Sequence, residues 1–270
     1  MFVIQEPPRQ GTELRWSMLG VRFRVMPSFF LYSALFAYLM IPQFFGNDLT
    51  TQAIGVAIDV ACIFAAVIFT ELVQGLVYRS YGLRATVVIQ EFGGGVYPEA
   101  EPPMRIQRIV VALSNPASCF LLLALVYYSN QEYAWSKTSN YAAFAYFILW
   151  IVSLFWGVIG LLPIFPYSGG RVMLELFSAV LPRQGMAVTL MASIAVGLAY
   201  IAYTVLWYLN HVKTIHLTDD VPLPSSIILS VFFAITTIRN WQLLQMVRRQ
   251  PRVYQPDDEY DDDRNSWDRR

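Results

Sequence analysis

The stretch AIGVAIDVACIFAAVIFTELVQGLVY, residues 53–78, decides how this chain is read. At about 1.5 Å of rise per residue it is long enough to cross the roughly 30 Å hydrocarbon core of a bilayer as one helix. It also carries two carboxyl side chains, Asp59 and Glu71. Such groups are expensive inside a membrane and mark functional positions there. Five further stretches have the same apolar character: 28–45, 109–129, 141–165, 186–209 and 226–247. The expectation is an all-α polytopic membrane protein with six spanning helices. Composition agrees, since the 270 residues are 56% hydrophobic and 14% charged, where a soluble domain is about one quarter charged. The first apolar run follows a polar, Arg-bearing segment and has no small-residue cleavage site behind it. It therefore reads as a span rather than a signal peptide.

Sidedness follows from the basic residues, which are retained on the cytoplasmic side of short loops. With six alternating spans, sixteen arginines fall on one side and only Lys137 and Lys213 on the other, with Arg239 left inside the last span. Both termini are expected in the cytoplasm. The chain then divides into a cytoplasmic N-terminal segment (1–27), a six-span membrane domain (28–247) and an acidic cytoplasmic tail (248–270). The tail has too few apolar groups to offset its ordering entropy and reads as disordered.

Several function classes are excluded by counting. The formal net charge is zero and there are no basic runs interleaved with aromatics, so nucleic acid is not an expected partner. Only two histidines exist, His211 and His216, both in the outer loop before the last span. No three-imidazole site and no HExxH helix can be built from them. Cys62 and Cys119 form no CxxC and sit in apolar stretches, as small core residues do. Between the second and third spans, Thr86-Val87-Val88-Ile89 precedes Gly93-Gly94-Gly95 and Val96-Tyr97. Branched residues around glycines predict a small surface β-hairpin with the glycines at its turn.

Asp59 and Glu71 are twelve residues apart, about 18 Å along one helix, so they cannot form a two-carboxylate site. Asp59, about 9 Å from the outer end, is expected to reach interfacial water by itself. Glu71 lies about 12 Å inside the cytoplasmic end, at the depth of Arg239 on the last span. An unpaired charge there would cost several kcal/mol. Glu71 is therefore expected to pair with Arg239, or with a nearby backbone or polar group, unless Arg239 reaches to the interface.

Four pieces in order now support a comparison. They are the segment Gly20-Val21-Arg22-Phe23-Arg24-Val25-Met26-Pro27-Ser28-Phe29, then Phe69-Thr70-Glu71-Leu72-Val73-Gln74-Gly75 running on to Gly82, then Ser114-Asn115-Pro116, and last Leu162-Pro163-Ile164-Phe165-Pro166-Tyr167-Ser168-Gly169-Gly170-Arg171. Together they resemble the site-2 protease family of intramembrane zinc metalloproteases. The second piece is similar to that family's FxHExxHxxxAxxxG helix and the last to its NxxPxxxLDGGR motif. The resemblance implies zinc held by two histidines one turn apart and by the motif's Asp, with the intervening Glu activating water. Here those ligand positions are Thr70, Gln74 and Ser168, and only the general-base position, Glu71, is kept. Hydroxyl and amide oxygens are weak, neutral donors to zinc. Without the ion nothing lowers a water pKa from 15.7 to about 7, so no bound zinc cofactor and no zinc hydrolysis are expected.

The resemblance therefore points to a membrane protein of site-2 protease type that has lost catalysis and binds transmembrane or juxtamembrane segments of other proteins. Gly93, Gly94 and Gly95 mark where an extended segment could add as a strand. Thr70, Glu71, Gln74 and Ser168 could share a polar pocket, or Ser168 could instead cap a helix starting near Gly170. Two alternatives stay open: an active protease with unconventional ligands, and a small transporter component using Asp59, Glu71 and Arg239.

Overall fold

The structure is a computed structural model describing residues 7, 11–41, 45, 48–90, 93–212 and 224–249. His216 and the expected tail beyond Arg249 lie outside the described residues. The order is β1 (Leu14–Met18), β2 (Val21–Val25), α1 (Pro27–Met40), α2 (Leu49–Ser80), β3 (Ala85–Gln90), β4 (Gly93–Pro98), α3 (Arg105–Tyr133), α4 (Asn140–Leu161), α5 (Ser168–Val180), α6 (Gly185–Val212) and α7 (Pro224–Arg249). By length and composition, four of these helices can cross a membrane, namely α2, α3, α4 and α6 up to Tyr208. The chain is an integral membrane protein on that ground. Helices also occupy the expected first and last spans. However, α1 has 14 residues, and neither α1 nor α7 meets the spanning measure over its described residues.

The chain divides into two compact units, one over 4–161 and the other from Leu162 onward. In the first unit, the expectation of an all-α protein with a lone hairpin needs correction. The N-terminal segment contributes β1 and β2 to a mixed sheet of order β1-β2-β3-β4. Strands β1 and β2 pair antiparallel, β2 and β3 parallel, and β3 and β4 antiparallel. Leu19 and Gly20, both at positive φ, join β1 to β2. Two such residues make the turn whose twist matches a hairpin. The carbonyl of Leu19 accepts a hydrogen bond from Arg79 at the end of α2. The short strands escape an apolar-run search because their alternation is brief: Val21, Phe23 and Val25 are buried, while Arg22 points out.

The inner face of the sheet packs on α2. The absent Cβ of Gly75 would fall 2.8 Å from Val21 Cγ1, so this glycine lets helix and strand meet closely. Trp16 stacks on Phe23 at 5.3 Å and meets Phe64 of α2 edge-on. On the outer face Arg24 makes a two-point ion pair with Glu13, at 2.7 and 2.9 Å. Helix α2 begins at Asp48, whose carboxylate accepts from the backbone N–H and the hydroxyl of Thr51. It ends where Gly82, at positive φ, donates to the carbonyl of Arg79.

These Thr51 bonds hold the Asp48 carboxyl below its ordinary pKa. A depressed carboxylate adds stability above its unfolded pKa and loses it as pH falls through the folded value. Asp48→Asn, which keeps a cap but cannot titrate, should differ from the natural chain in thermal stability near neutrality. That difference should shrink on acidification below the ordinary carboxylate range.

In the second unit, α6 and α7 pack side by side. Phe165, Met186, Leu190 and Leu244 form its buried cluster, with Leu174 of α5 packed against it. Helix α5 had been expected to begin near Gly170 with Ser168 as its cap. Instead Tyr167 holds the cap position and Ser168 is the first helical residue. The backbone turn starts earlier, as the Tyr167 N–H already donates to the Ile164 carbonyl. His211, expected in a loop, lies within the last turn of α6.

Candidate functional site

The buried face of α2 explains why polar groups survive within it. Thr70, Glu71 and Gln74 recur at one-turn spacing and are 8%, 5% and 6% exposed. Each is tied to the protein. The Thr70 hydroxyl donates to the carbonyl of Val67 at 3.1 Å. Gln74 Nε2 donates to the carbonyl of Val111 on α3 at 3.0 Å. Glu71 Oε1 accepts from Asn115 Nδ2 on α3 at 3.1 Å. Ser118, one turn further along α3, donates to the Asn115 carbonyl at 2.6 Å and lies 3.4 Å from that of Thr70.

The glycines close this cluster from the sheet side. They are not a turn: Gly93, Gly94 and Gly95 are strand residues of β4, paired with Gln90, Ile89 and Val88. A Cβ on Gly94 would sit 2.6 Å from Glu71 Cγ and 2.9 Å from its Cδ. A Cβ on Gly93 would meet Trp156 of α4 at 3.8 Å. The run of glycines is therefore a close-approach device, letting strand backbone lie on the Glu71 side chain.

Asp59 behaves differently from its expectation. It does not reach water: it is 0% exposed, and neither carboxyl oxygen has a hydrogen-bond partner. One turn earlier, Gly55 packs against Phe45 and Ile41, so this part of α2 is enclosed by apolar groups.

The second unit carries Ser168 and Arg239. Here two residues missed by sequence reasoning hold the chain leading to Ser168. The N–H of Phe165 donates to Ser193 Oγ of α6 at 2.9 Å. The Phe165 carbonyl accepts from Asn240 Nδ2 of α7 at 2.8 Å. Gly170 packs against the same backbone, since its Cβ would collide with the Phe165 nitrogen and the Ile164 carbonyl. Backbone cannot yield as a flexible side chain does, so Gly170→Ala should cost at least about 1–3 kcal/mol. Thermal unfolding in detergent measures it, and unchanged stability would contradict this packing.

The comparisons with known proteins bear on the fold. No family model matches the chain, and no curated protein matches it. Among solved structures it is similar to a site-2 protease from Methanocaldococcus jannaschii, with a TM-score of 0.52 over 85% of this chain and 94% of that one. The fold is site-2-protease-like. Sequence identity over the match is 16%, so the likeness is one of architecture.

A site-2-protease-like fold implies zinc, and the residues at the α2 positions do not fit it. Their oxygen and nitrogen atoms are neutral, and the hydroxyl of Thr70 and amide of Gln74 already bond to carbonyls. Among the described residues no group of three or more His, Cys, Asp or Glu side chains is placed to hold a metal. The arrangement can bind through hydrogen bonds and buried shape. It offers no charged ligand set beyond the single carboxylate of Glu71.

The site was partly legible beforehand. Thr70, Glu71 and Gln74 are brought together as their spacing required, and Glu71 has a polar neighbour, Asn115. The expected pairing of Glu71 with Arg239 stands as an expectation, because the two residues belong to different units. Asn115 was quoted only as part of a motif. An amide within an apolar span is itself a signal, and the same holds for Asn240.

Proposed function

We propose that this chain is a membrane protein of site-2 protease type that has given up hydrolysis and holds a transmembrane or juxtamembrane segment of a partner protein. The observation that carries this reading is the fate of the two α2 ligand positions. A metal ligand must keep a lone pair directed at the ion and a second shell that orients it. Thr70 and Gln74 instead spend their side chains on the carbonyls of Val67 and Val111. They act as internal fasteners between α2 and its own preceding turn or α3. Glu71 keeps the general-base position, but its Oε1 is engaged by Asn115.

Binding without cutting follows from what remains. The sheet ends in β4, whose outer side has no neighbouring strand in the sheet order. An extended segment can pair with such an edge through its backbone, close to the Glu71 cluster. Both termini are taken to be cytoplasmic, from the distribution of arginines.

A photoreactive phenylalanine in place of Tyr97 on β4 tests this reading. In native membranes it should give a crosslink to a membrane protein that keeps its full length, and the purified chain should hold no stoichiometric zinc. Zinc at one ion per chain, lost in Glu71→Gln or Gln74→Ala, or a crosslinked partner cleaved within its membrane segment, would establish the protease reading instead.

A further inference from the structure

Helix α5 has its polarity inside out. Its buried positions are Gly170, Glu175 and Ser178, whereas Leu176 is 54% and Val180 77% exposed. Val172, Leu176 and Val180 follow one another at four-residue spacing and form a ridge on one side. A helix on the surface of a water-soluble domain shows the reverse, apolar inward and polar outward. The medium on the outer side of α5 is therefore apolar. With 13 residues, or about 20 Å, the helix is too short to cross a bilayer.

Its depth is fixed by α6, to which it is joined through Leu181, Pro182, Arg183 and Gln184. A Cβ on Gly185, the first residue of α6, would lie 2.7 Å from the backbone nitrogen and Cα of Ser178. Leu174 packs on Met186 and Leu190, the first two turns of a helix able to cross the membrane. The last turns of α5 thus lie level with the beginning of a span. Arg183, exposed and just beyond the ridge, is placed to reach lipid phosphates.

We propose that α5 is an interfacial anchor, with the ridge Val172, Leu176 and Val180 seated in the hydrocarbon of the leaflet that the N-terminal turns of α6 enter. Its partner is the lipid surface itself. The inward Glu175 and Ser178 face protein, and the helix axis runs along the membrane plane, as in other amphipathic interfacial helices. This placement is independent of whether the Glu71 cluster cuts or merely binds.

The test is made on the full chain in vesicles of phosphatidylcholine and phosphatidylglycerol. Spin labels go on Val172→Cys, Leu176→Cys, Val180→Cys and Arg183→Cys, one at a time. The unsubstituted chain, with half-buried Cys62 and buried Cys119, is the blank. Oxygen, which concentrates in hydrocarbon, should collide with the labels at 172, 176 and 180 more often than a neutral nickel chelate, which stays in water. At 183 the order should reverse. Chelate in excess at 176 and 180 would place the ridge in water and overturn the proposal. Slow collision with both probes would mean a protein cover, by a second copy or another chain, and would overturn it equally. Quenching of Val180→Trp fluorescence by chain-brominated lipid, above that of the seven native tryptophans, is a second readout requiring no label. Absence of that extra quenching also counts against it.

Discussion

Purified Thr70→His, Gln74→His, Ser168→Asp protein should carry about one zinc per chain, where the natural chain carries none, if these positions match the family ligands. Residues 70 and 74 are one turn apart on a single helix face, so two imidazoles there can reach one ion. The substitutions have a cost before metal arrives. Gln74→His removes the donor to the buried Val111 carbonyl, a loss of about 1–3 kcal/mol. Metal binding to the folded state offsets this in proportion to the logarithm of its concentration over Kd. The triple variant should therefore be less stable than the natural chain in chelator and regain stability when zinc is added. A folded triple variant that takes up no zinc would show that the three positions do not correspond to the family's ligands, whatever the likeness in fold.

Asp59→Leu should stabilise the protein. Both carboxyl oxygens of Asp59 are buried without a hydrogen-bond donor, and burying a polar group in that way costs about 1–3 kcal/mol by protein substitution data. Leucine is similar in breadth and belongs among the Ile41 and Phe45 side chains packed one turn away. For a chain of this size each kcal/mol corresponds to a rise of about 2–4 °C in Tm. Loss of stability in both Asp59→Leu and Asp59→Asn would mean that the carboxyl is satisfied in the folded protein. A carboxyl kept at such a cost also invites a functional assay, because stability given up inside a protein is often tied to activity. Solute flux in proteoliposomes that disappears in Asp59→Asn would favour the small-transporter reading.

How much of this was legible in the sequence depends on the period and length of each signal. The long apolar runs behind α2, α3, α4 and α6 are read directly, because lipid demands some twenty apolar residues in a row. Strands β1 and β2 were missed, since five residues with one or two arginines among them are too short for any periodic test. The glycines of β4 were seen and misassigned. A run of three suggests a turn when no neighbour is visible, and only the position of Glu71 shows that it serves close approach. On α2 the cluster followed from spacing alone. Its partners, Asn115 and the Val111 carbonyl, are distant in sequence, and no local rule assigns a backbone carbonyl on one helix to an amide on another. For the same reason Ser193 and Asn240, which grip the Phe165 peptide from two helices, carry no sequence signature beyond being polar within an apolar run.

The parallel pairing of β2 with β3 sets an order of events during folding. Val21 to Val25 can meet Arg22's partner Thr86 and its neighbours only after the intervening chain, which holds all of α1 and α2, has turned back on itself. Closing so long a loop is slow compared with forming either hairpin. The two outer hairpins, β1 with β2 and β3 with β4, can therefore form as separate local units at the water boundary while the helices are inserted. The centre of the sheet joins last, and with it strand β4 comes down over Glu71. Until then, the carboxylate and its α3 partner face solvent or lipid uncovered, and the polar cluster is assembled as the final step of making the first unit.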